Sequence, residues 1–144
     1  MKSVRKSVIV PHSAQQMYAL VDGIEAYPAF LPWCGGASET ERTPASVMAE
    51  IEIAYHGLHQ SFVTRNDNRP SESIDMNFVR GPFRSLAGHW RFVPLGDAGC
   101  RVEFALDWEF ASGVLDRVIG PVFNSIADNF VDAFVRRADA LYPS

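Results

Sequence analysis

His56 and His59 are separated by two residues, a spacing at which two imidazoles can reach one metal ion. A zinc-type site needs at least one more protein ligand, and the sequence supplies none nearby. The two cysteines, Cys34 and Cys100, are far apart, and neither has a partner at ligand spacing. We therefore predict no metal site, and the cysteine count suits a reducing compartment rather than a disulfide framework.

Three carboxylates, Glu103, Asp107 and Glu109, share one parity of an alternating segment and lie on the face opposite its apolar row. Acid–base catalysis would need such groups to face a substrate cavity. The sequence also has no Gly-x-Ser-x-Gly motif, no glycine-rich phosphate loop and no Ser-His-Asp order with a supporting turn. We therefore predict no catalytic residues and a protein that is not an enzyme.

Arginines mark two candidate polar sites. Arg80 and Arg84 flank a Gly-Pro-Phe turn at one rim of the predicted sheet, where they could meet a polar head group or a phosphate. A solvated turn is the alternative. Arg65, His89 and Arg91 lie on outward faces of predicted strands, in a part of the chain where arginine outnumbers acidic residues. They form a candidate contact with RNA.

Composition limits the class of protein and its partners. The chain has 144 residues, of which 47% are apolar, and this is enough for one domain, residues 1–144, with a core of its own. Thirteen Lys and Arg against 17 Asp and Glu give a net charge of −4, which argues against bulk electrostatic binding of nucleic acid, and no DNA partner is expected. No signal peptide or bilayer-length apolar run is recognisable, so a cytoplasmic location is expected.

Hydrophobic periodicity predicts the elements that must position these groups. Val4–Val10 alternates as a first strand, and Ser13 with Gln16 forms a capping box at the start of a short helix. Tyr27–Cys34 contains two prolines and predicts a short helical turn with exposed apolar side chains. Residues 113–142 repeat apolar side chains at three and four positions after Ser112, a candidate cap. They predict one long terminal helix.

The middle of the chain predicts antiparallel strands joined by tight turns. Val47–Tyr55 has one apolar and one polar face, and Gly57 permits a turn. The return strand is expected to stop in Asn66–Pro70, a cluster of turn formers. Three further strand rows follow, at Ile74–Phe78, Leu86–Phe92 and Val102–Phe110. About six strands and two helices predict an α+β fold with the helices on one side of the sheet.

Four segments together resemble the START-like (SRPBCC) family, which includes coenzyme Q-binding proteins and bacterial ribosome association toxins. They are Tyr27–Cys34 (Tyr-Pro-Ala-Phe-Leu-Pro-Trp-Cys), Thr64–Asn66, Gly81–Leu86 with Gly88, Trp90 and Phe92, and Arg101–Phe104. The resemblance implies a helix-grip fold, in which a curved antiparallel sheet of six or seven strands wraps around a long C-terminal helix. Short N-terminal helices and an apolar tunnel between sheet and helix complete the expected architecture.

The resemblance implies three functions, of which the first is preferred. The protein would bind a hydrophobic isoprenoid, ubiquinone above all, as a carrier or chaperone supporting respiratory electron transfer, with no cofactor required and with peripheral contact at the inner membrane. Alternatively, it would inhibit translation as a toxin that binds the large ribosomal subunit and blocks subunit association. A polyketide cyclase or dehydratase is the third function.

For the first function, aromatic and aliphatic rows would line an elongated apolar slot. The lid would be formed by Tyr27, Phe30, Leu31 and Trp33. The sheet wall would be formed by Phe62, Phe78, Phe83, Trp90, Phe92 and Phe104, and the helix wall by Val122, Phe123, Ile126 and Phe130. Ordinary core packing is the alternative reading of all three rows.

Overall fold

A computed structural model describes residues 1–97 and 99–143. Seven strands form one sheet in the order β1-β7-β6-β5-β4-β3-β2, and every neighbouring pair is antiparallel. The strands are β1 (Lys2–Val10), β2 (Cys34–Thr40), β3 (Ser46–Tyr55), β4 (Leu58–Arg69), β5 (Ser73–Arg80), β6 (Phe83–Leu95) and β7 (Gly99–Phe110). The helices are α1 (Ala14–Asp22), a 3₁₀ helix (Ile24–Ala29) and α2 (Gly113–Leu141).

The long helix α2 packs against the concave face of this curved sheet, and the predicted α+β helix-grip fold is confirmed. Aromatic rings make the contact: Phe123 lies 5.1 Å from Trp108 and Phe130 lies 5.6 Å from Phe104, measured between ring centroids. Alternation on β7 buries its inward row from Val102 to Phe110, as predicted.

Serine side chains cap the N-termini of α1 and α2. The Ser13 hydroxyl accepts from the Gln16 amide, and the Gln16 side chain accepts from the Ser13 amide, so the predicted capping box is present. Ser112 accepts from the Leu115 amide at the start of α2, as predicted. The first turn of α2 departs from expectation, because Val114 and Val118 of the apolar repeat are exposed.

One strand was not indicated by its own residues. Cys34–Thr40 is an edge strand, β2, although its Gly-Gly and Ser residues have low strand propensity, because it pairs with β3 along most of its length. The predicted end of the return strand within Asn66–Pro70 is confirmed, since β4 ends at Arg69 and the chain turns at Pro70. Pairing with β3 on one side and β5 on the other keeps Asn66 to Arg69 extended in spite of their turn propensity.

Candidate functional site

A cavity of about 70 Å³ lies between the concave face of the sheet and α2. The 3₁₀ helix and Trp33 close one side, and strands β3 to β7 supply the wall. The apolar slot that the sequence predicts is therefore present as a narrow interior space.

Part of the predicted ligand-contacting set lines this cavity: Tyr27, Trp33, Phe62, Phe104, Phe123, Ile126 and Phe130. The remainder lies elsewhere: Phe30, Leu31, Phe78, Phe83, Trp90 and Phe92 pack behind or beside the wall, and Val122 lines a surface groove. The structure brings lid, sheet and helix residues together as expected, and their role in ligand binding stays a prediction.

Aromatic clusters support the wall from behind. Phe83 lies 5.0 Å from both Phe110 and Phe123, and it also packs against Phe62 at 5.7 Å and Phe78 at 5.9 Å. Edge and stacked ring pairs of this kind add rigidity beyond plain area burial. We infer that this cluster fixes the positions of Phe62 and Phe123 at the cavity.

A second cluster surrounds Trp90. Its ring lies 4.6 Å from Phe104 and 5.8 Å from Phe130, both of which line the cavity. Phe92 stacks 6.1 Å from Trp90 with an interplanar angle of 3°. These contacts place Trp90 and Phe92 in the layer that supports the wall.

The lid segment is less exposed than its sequence predicts. Tyr27 is 7% exposed and Leu31 is 1% exposed, while Phe30 and Trp33 are half-buried. The segment folds onto α2, where Tyr27 and Phe30 lie 5.4 and 5.2 Å from Phe134. The prediction of an exposed lid is therefore wrong for Tyr27 and Leu31.

The Tyr27 hydroxyl forms a hydrogen bond within the protein. It donates a short hydrogen bond to the backbone carbonyl of Val21. Burial raises the pKa of the Tyr27 phenol well above its ordinary range, with the nearby Asp22 carboxylate acting in the same direction. Tyr27 therefore remains a neutral donor to Val21.

Sequence reasoning missed the residues that complete the lining, which are Ile24, Ala49, Ile51, Ile53, Thr64, Asn66, Met76, Leu86, Leu106 and Ala127. Strand parity could have found most of them, since Ala49, Ile51 and Ile53 alternate on the apolar face of β3. Thr64 and Asn66 follow Phe62 with the same parity on β4. The turn propensity of Asn66 concealed this continuation.

Thr64 and Asn66 place polar atoms inside an otherwise apolar wall. They are 4% and 8% exposed, and the Thr64 hydroxyl donates to Asn66 Oδ1 at 2.9 Å. The side-chain nitrogen of Asn66, Nδ2, makes no hydrogen bond to any residue that the structure describes. The side-chain N–H group of Asn66 is therefore left as an unpaired donor at the cavity lining.

The end of β4 is tied to α1 through a further polar contact. Asn68 Nδ2 donates to Asp22 Oδ1 at 3.0 Å, and Arg42 pairs with the same carboxylate at 3.1 Å. Arg42 also bonds Glu39 at 2.7 Å, and this contact lowers the pKa of the Glu39 carboxyl. The strand that carries Thr64 and Asn66 is therefore fixed at its far end.

A surface groove of about 240 Å³ runs along α2 beside the cavity. It is lined by Pro32, Trp33, Tyr55, Val122, Ser125, Ile126, Asn129, Ala133 and Arg136. Trp33 and Ile126 border both spaces, so these two side chains form the partition between the groove and the interior.

The predicted rim arginines, Arg80 and Arg84, are both exposed at the turn before β6. Arg84 lies 3.9 Å from the Glu109 carboxylate, at the outer limit of an ion pair. Neither lines the cavity described above. Head-group contact at these arginines stays a prediction.

The candidate RNA residues lie on the outward, convex face of the sheet. Arg65 and Arg91 are exposed and His89 is half-buried. Asp67 and Asp75 face each other across β4 and β5, and Asp75 also faces His89. The basic groups are therefore interrupted by two carboxylates.

Arg69 extends the basic surface beyond the sequence prediction. It faces Ser73 across β4 and β5, and Ser73 faces Arg91 across β5 and β6. Both arginines are exposed.

Neither a metal cluster nor a bilayer-spanning helix is found among residues 1–97 and 99–143. No group of three or more His, Cys, Asp or Glu side chains converges there. The His59 ring instead lies 3.8 Å from Glu52. No helix within those ranges is long and apolar enough to cross a membrane.

Comparisons with known proteins identify the family. The sequence model described as polyketide cyclase/dehydrase and lipid transport matches residues 10–135. The chain belongs to this family. Ribosome association toxins named RatA are similar to it: the Escherichia coli protein is 42% identical over 99% of this chain and 90% of its own length. The Vibrio cholerae protein is 41% identical over 99% of both chains. The predicted START-like resemblance is confirmed.

A more distant relative and two solved structures are also similar to the chain. A mitochondrial coenzyme Q-binding protein homologue from Xenopus laevis is 25% identical over 95% of this chain and 58% of its own length. The solution structure of an 18 kDa protein from Caulobacter crescentus superposes with a TM-score of 0.75 and 31% identity over all of both chains. The Zhui aromatase/cyclase from a Streptomyces species has a TM-score of 0.77 at 18% identity, over 96% of this chain and 93% of its own, a likeness that shows the fold alone.

Proposed function

We propose that this protein is a RatA-type factor that acts on the association of ribosomal subunits. The observation that carries the proposal is full-length similarity at 41–42% identity to proteins named ribosome association toxins. The match covers both helices and all seven strands, so it includes the convex face of the sheet as well as the interior.

The sequence alone favours ubiquinone binding over action on ribosomal subunits. The proposal made here places action on ribosomal subunits first. The coenzyme Q-binding relative is 25% identical, against 42% for the RatA proteins. The cavity volume points the same way, since about 70 Å³ is below the roughly 150 Å³ of an interior space that accepts benzene. A quinone ring would therefore require movement of the lining side chains.

The convex face is the surface that best fits an RNA partner. Arg65, Arg69 and Arg91 are exposed there, and guanidinium groups bind phosphates through paired N–H donors. The interrupting Asp67 and Asp75 limit non-specific attraction, in line with the net charge of −4. Binding through these few contacts would weaken with added salt.

A subunit-joining assay tests the proposal. Purified protein is mixed with separated small and large ribosomal subunits, magnesium is raised, and joining is followed by light scattering and by sedimentation. We expect joining to slow in proportion to added protein and the protein to sediment with the large subunit. Unchanged joining at excess protein, without co-sedimentation, would overturn the proposal.

Variants locate the surface within the same assay. The change of Arg65, Arg69 and Arg91 to Ala is expected to raise the protein concentration needed for half-inhibition several-fold. Arg117→Ala is the control, because Arg117 is exposed on α2, on the other side of the sheet from the convex face. Equal inhibition by the triple variant and the control would remove this surface from the proposal.

Binding of an apolar ligand is the second candidate function, and the apolar cavity between the sheet and α2 favours it. Each buried methylene contributes about 0.8 kcal/mol, so an isoprenoid tail could be retained with few polar contacts. Displacement of Trp33 would join the cavity to the groove of about 240 Å³ along α2. Ubiquinone is the specific ligand proposed for this joined space.

Native mass spectrometry tests the second candidate. The protein is purified without detergent from a quinone-producing host, and bound molecules are extracted and identified. Ala127→Leu fills the cavity and is expected to abolish retention, whereas Ala140→Leu, exposed on α2 and outside both the cavity and the groove, serves as control. A protein that is empty and takes up no added quinone would exclude this function.

The polyketide cyclase reading ranks third. Among the lining residues that the structure describes, Tyr27 is the only titratable side chain, and its hydroxyl already donates to Val21. A general acid or base would have to come from elsewhere.

A further inference from the structure

We infer that Asn66 is the recognition residue of the cavity and that it selects a neutral, largely hydrocarbon ligand carrying a carbonyl oxygen. The Asn66 amide would donate to that oxygen. This inference rests on the second candidate function, binding of an apolar ligand, and gives that ligand a chemical class.

The Asn66 side-chain donor is unpaired. Asn66 lines the cavity at 8% exposure, and its Nδ2 has no hydrogen-bond partner among the residues that the structure describes. The site therefore favours an occupant that brings an acceptor to this N–H group.

Thr64 sets the orientation of the Asn66 amide. Its hydroxyl donates to Asn66 Oδ1 at 2.9 Å, which occupies the oxygen of the carboxamide and leaves the nitrogen for another partner. Both residues sit within β4, and Asn66 pairs with Val47 on β3 and Met76 on β5. Pairing on both sides fixes the Asn66 backbone, and the Thr64 contact orients its side chain before a ligand arrives.

The charge of the lining excludes fatty acids as preferred ligands. No Lys, Arg or His is among the described residues that line the cavity. A carboxylate would therefore be buried without a cationic partner, which is strongly unfavourable. A pure hydrocarbon would leave the Asn66 donor unpaired. A quinone, ketone or ester satisfies both conditions.

The other polar groups of the lining do not replace Asn66. Tyr27 donates to the Val21 carbonyl, and Trp33 is half-buried at the partition to the groove. Asn66 is thus the buried amide donor beside Phe62, Met76 and Leu106, at the apolar wall of the cavity.

Three probes of similar tail length test the inference: decylubiquinone, decylbenzene and dodecanoate. Their dissociation constants are measured by tryptophan fluorescence, with decylbenzene and dodecanoate competing against the quinone. The wild type is expected to bind decylubiquinone most tightly. Asn66→Leu is expected to weaken quinone binding about threefold to tenfold, the value of one net hydrogen bond, and to leave decylbenzene binding unchanged or tighter.

Thr64→Val is the matched second variant, and it preserves side-chain volume while releasing the Asn66 amide. We expect it to reduce the preference for quinone over decylbenzene by a smaller factor than Asn66→Leu. It also keeps the inference testable if Asn66→Leu fails to fold, which thermal unfolding would reveal.

The outcomes distinguish ligand binding by the cavity from the role of Asn66 in selecting the ligand. A wild type that binds none of the three probes would exclude the ligand-binding function itself. Equal affinity for quinone and decylbenzene, or equal losses for both in Asn66→Leu, would keep a ligand cavity and overturn the role of Asn66. A preference for dodecanoate would overturn the choice of ligand class.

Discussion

His12 Nε2 lies 2.7 Å from Asp139 Oδ1, and this contact joins the residue before the Ser13 cap of α1 to the last turns of α2. His12 is 3% exposed, whereas the Asp139 side chain is largely exposed. Tyr142 packs beside the same imidazole at 6.0 Å. The contact therefore holds the C-terminal end of the gripped helix onto the start of the chain.

Asp139→Ala is expected to lower the free energy of unfolding by about 1–3 kcal/mol, because it leaves the buried His12 nitrogen without its partner. Urea denaturation at pH 7 measures the change. Asp132→Ala is the control, since Asp132 is exposed on the same helix and forms no ion pair within the described chain. Equal stability of the two variants would show that the contact contributes nothing.

The sequence predicts the parts of the fold that periodicity and caps determine. The alternation of β7, the length of α2 and the Ser13 capping box all follow from local patterns. The strand β2 does not, because its pairing with β3 is a tertiary contact that its own composition disfavours.

The candidate site was predictable where it is apolar and not where it is polar. Large aromatic side chains such as Phe104 and Phe123 mark an interior by their size and parity. Small lining residues such as Ala127 carry no such signal. Asn66 in isolation indicates a turn, and only its pairing with Val47 and Met76 places it in the wall.

Gly88 is expected to tolerate no side chain. A Cβ there would lie 2.6 Å from Met76 Cε and 2.9 Å from the Ala105 carbonyl oxygen, and that backbone atom is held by strand pairing. Gly88→Ala should therefore destabilise the protein by about 1–3 kcal/mol through overpacking. Thermal unfolding checks this against Gly113→Ala, where a Cβ meets nothing within 4 Å.

Gly113 lies in the first turn of α2, so alanine there is expected to be neutral or to stabilise by about 0.4–1 kcal/mol. If both glycine variants shift the melting temperature alike, steric crowding beside Met76 is not the cause.

Gly81 couples a turn to the cavity wall. Its φ of +145° disfavours other residues, and a Cβ would lie 2.6 Å from Phe62 Cβ. Gly81→Ala is expected to displace Phe62 and to change the binding of apolar probes as well as stability. Gly96→Ala is the control, because its φ is also positive but a Cβ there meets nothing within 4 Å. Loss of stability without any change in probe binding would contradict the coupling.

Two buried thiols are expected to make the protein less stable at alkaline pH. Burial raises the pKa of both Cys34 and Cys100. In the unfolded chain a thiol ionises near pH 8.5. The stabilisation is therefore fully present below that pH and is lost as pH rises through the higher pKa of the folded state.

The urea midpoint should accordingly stay level from pH 7 to about 8 and then fall towards pH 10. The double variant Cys34→Ala/Cys100→Ala should show a shallower fall, because tyrosines then dominate the remaining change. Reaction with a thiol reagent at pH 8 should likewise be slow in the native protein and fast in urea, since both sulfurs are buried. A fall of equal slope in the two proteins would assign the alkaline loss to other groups, of which the buried Tyr27 phenol is the first to examine.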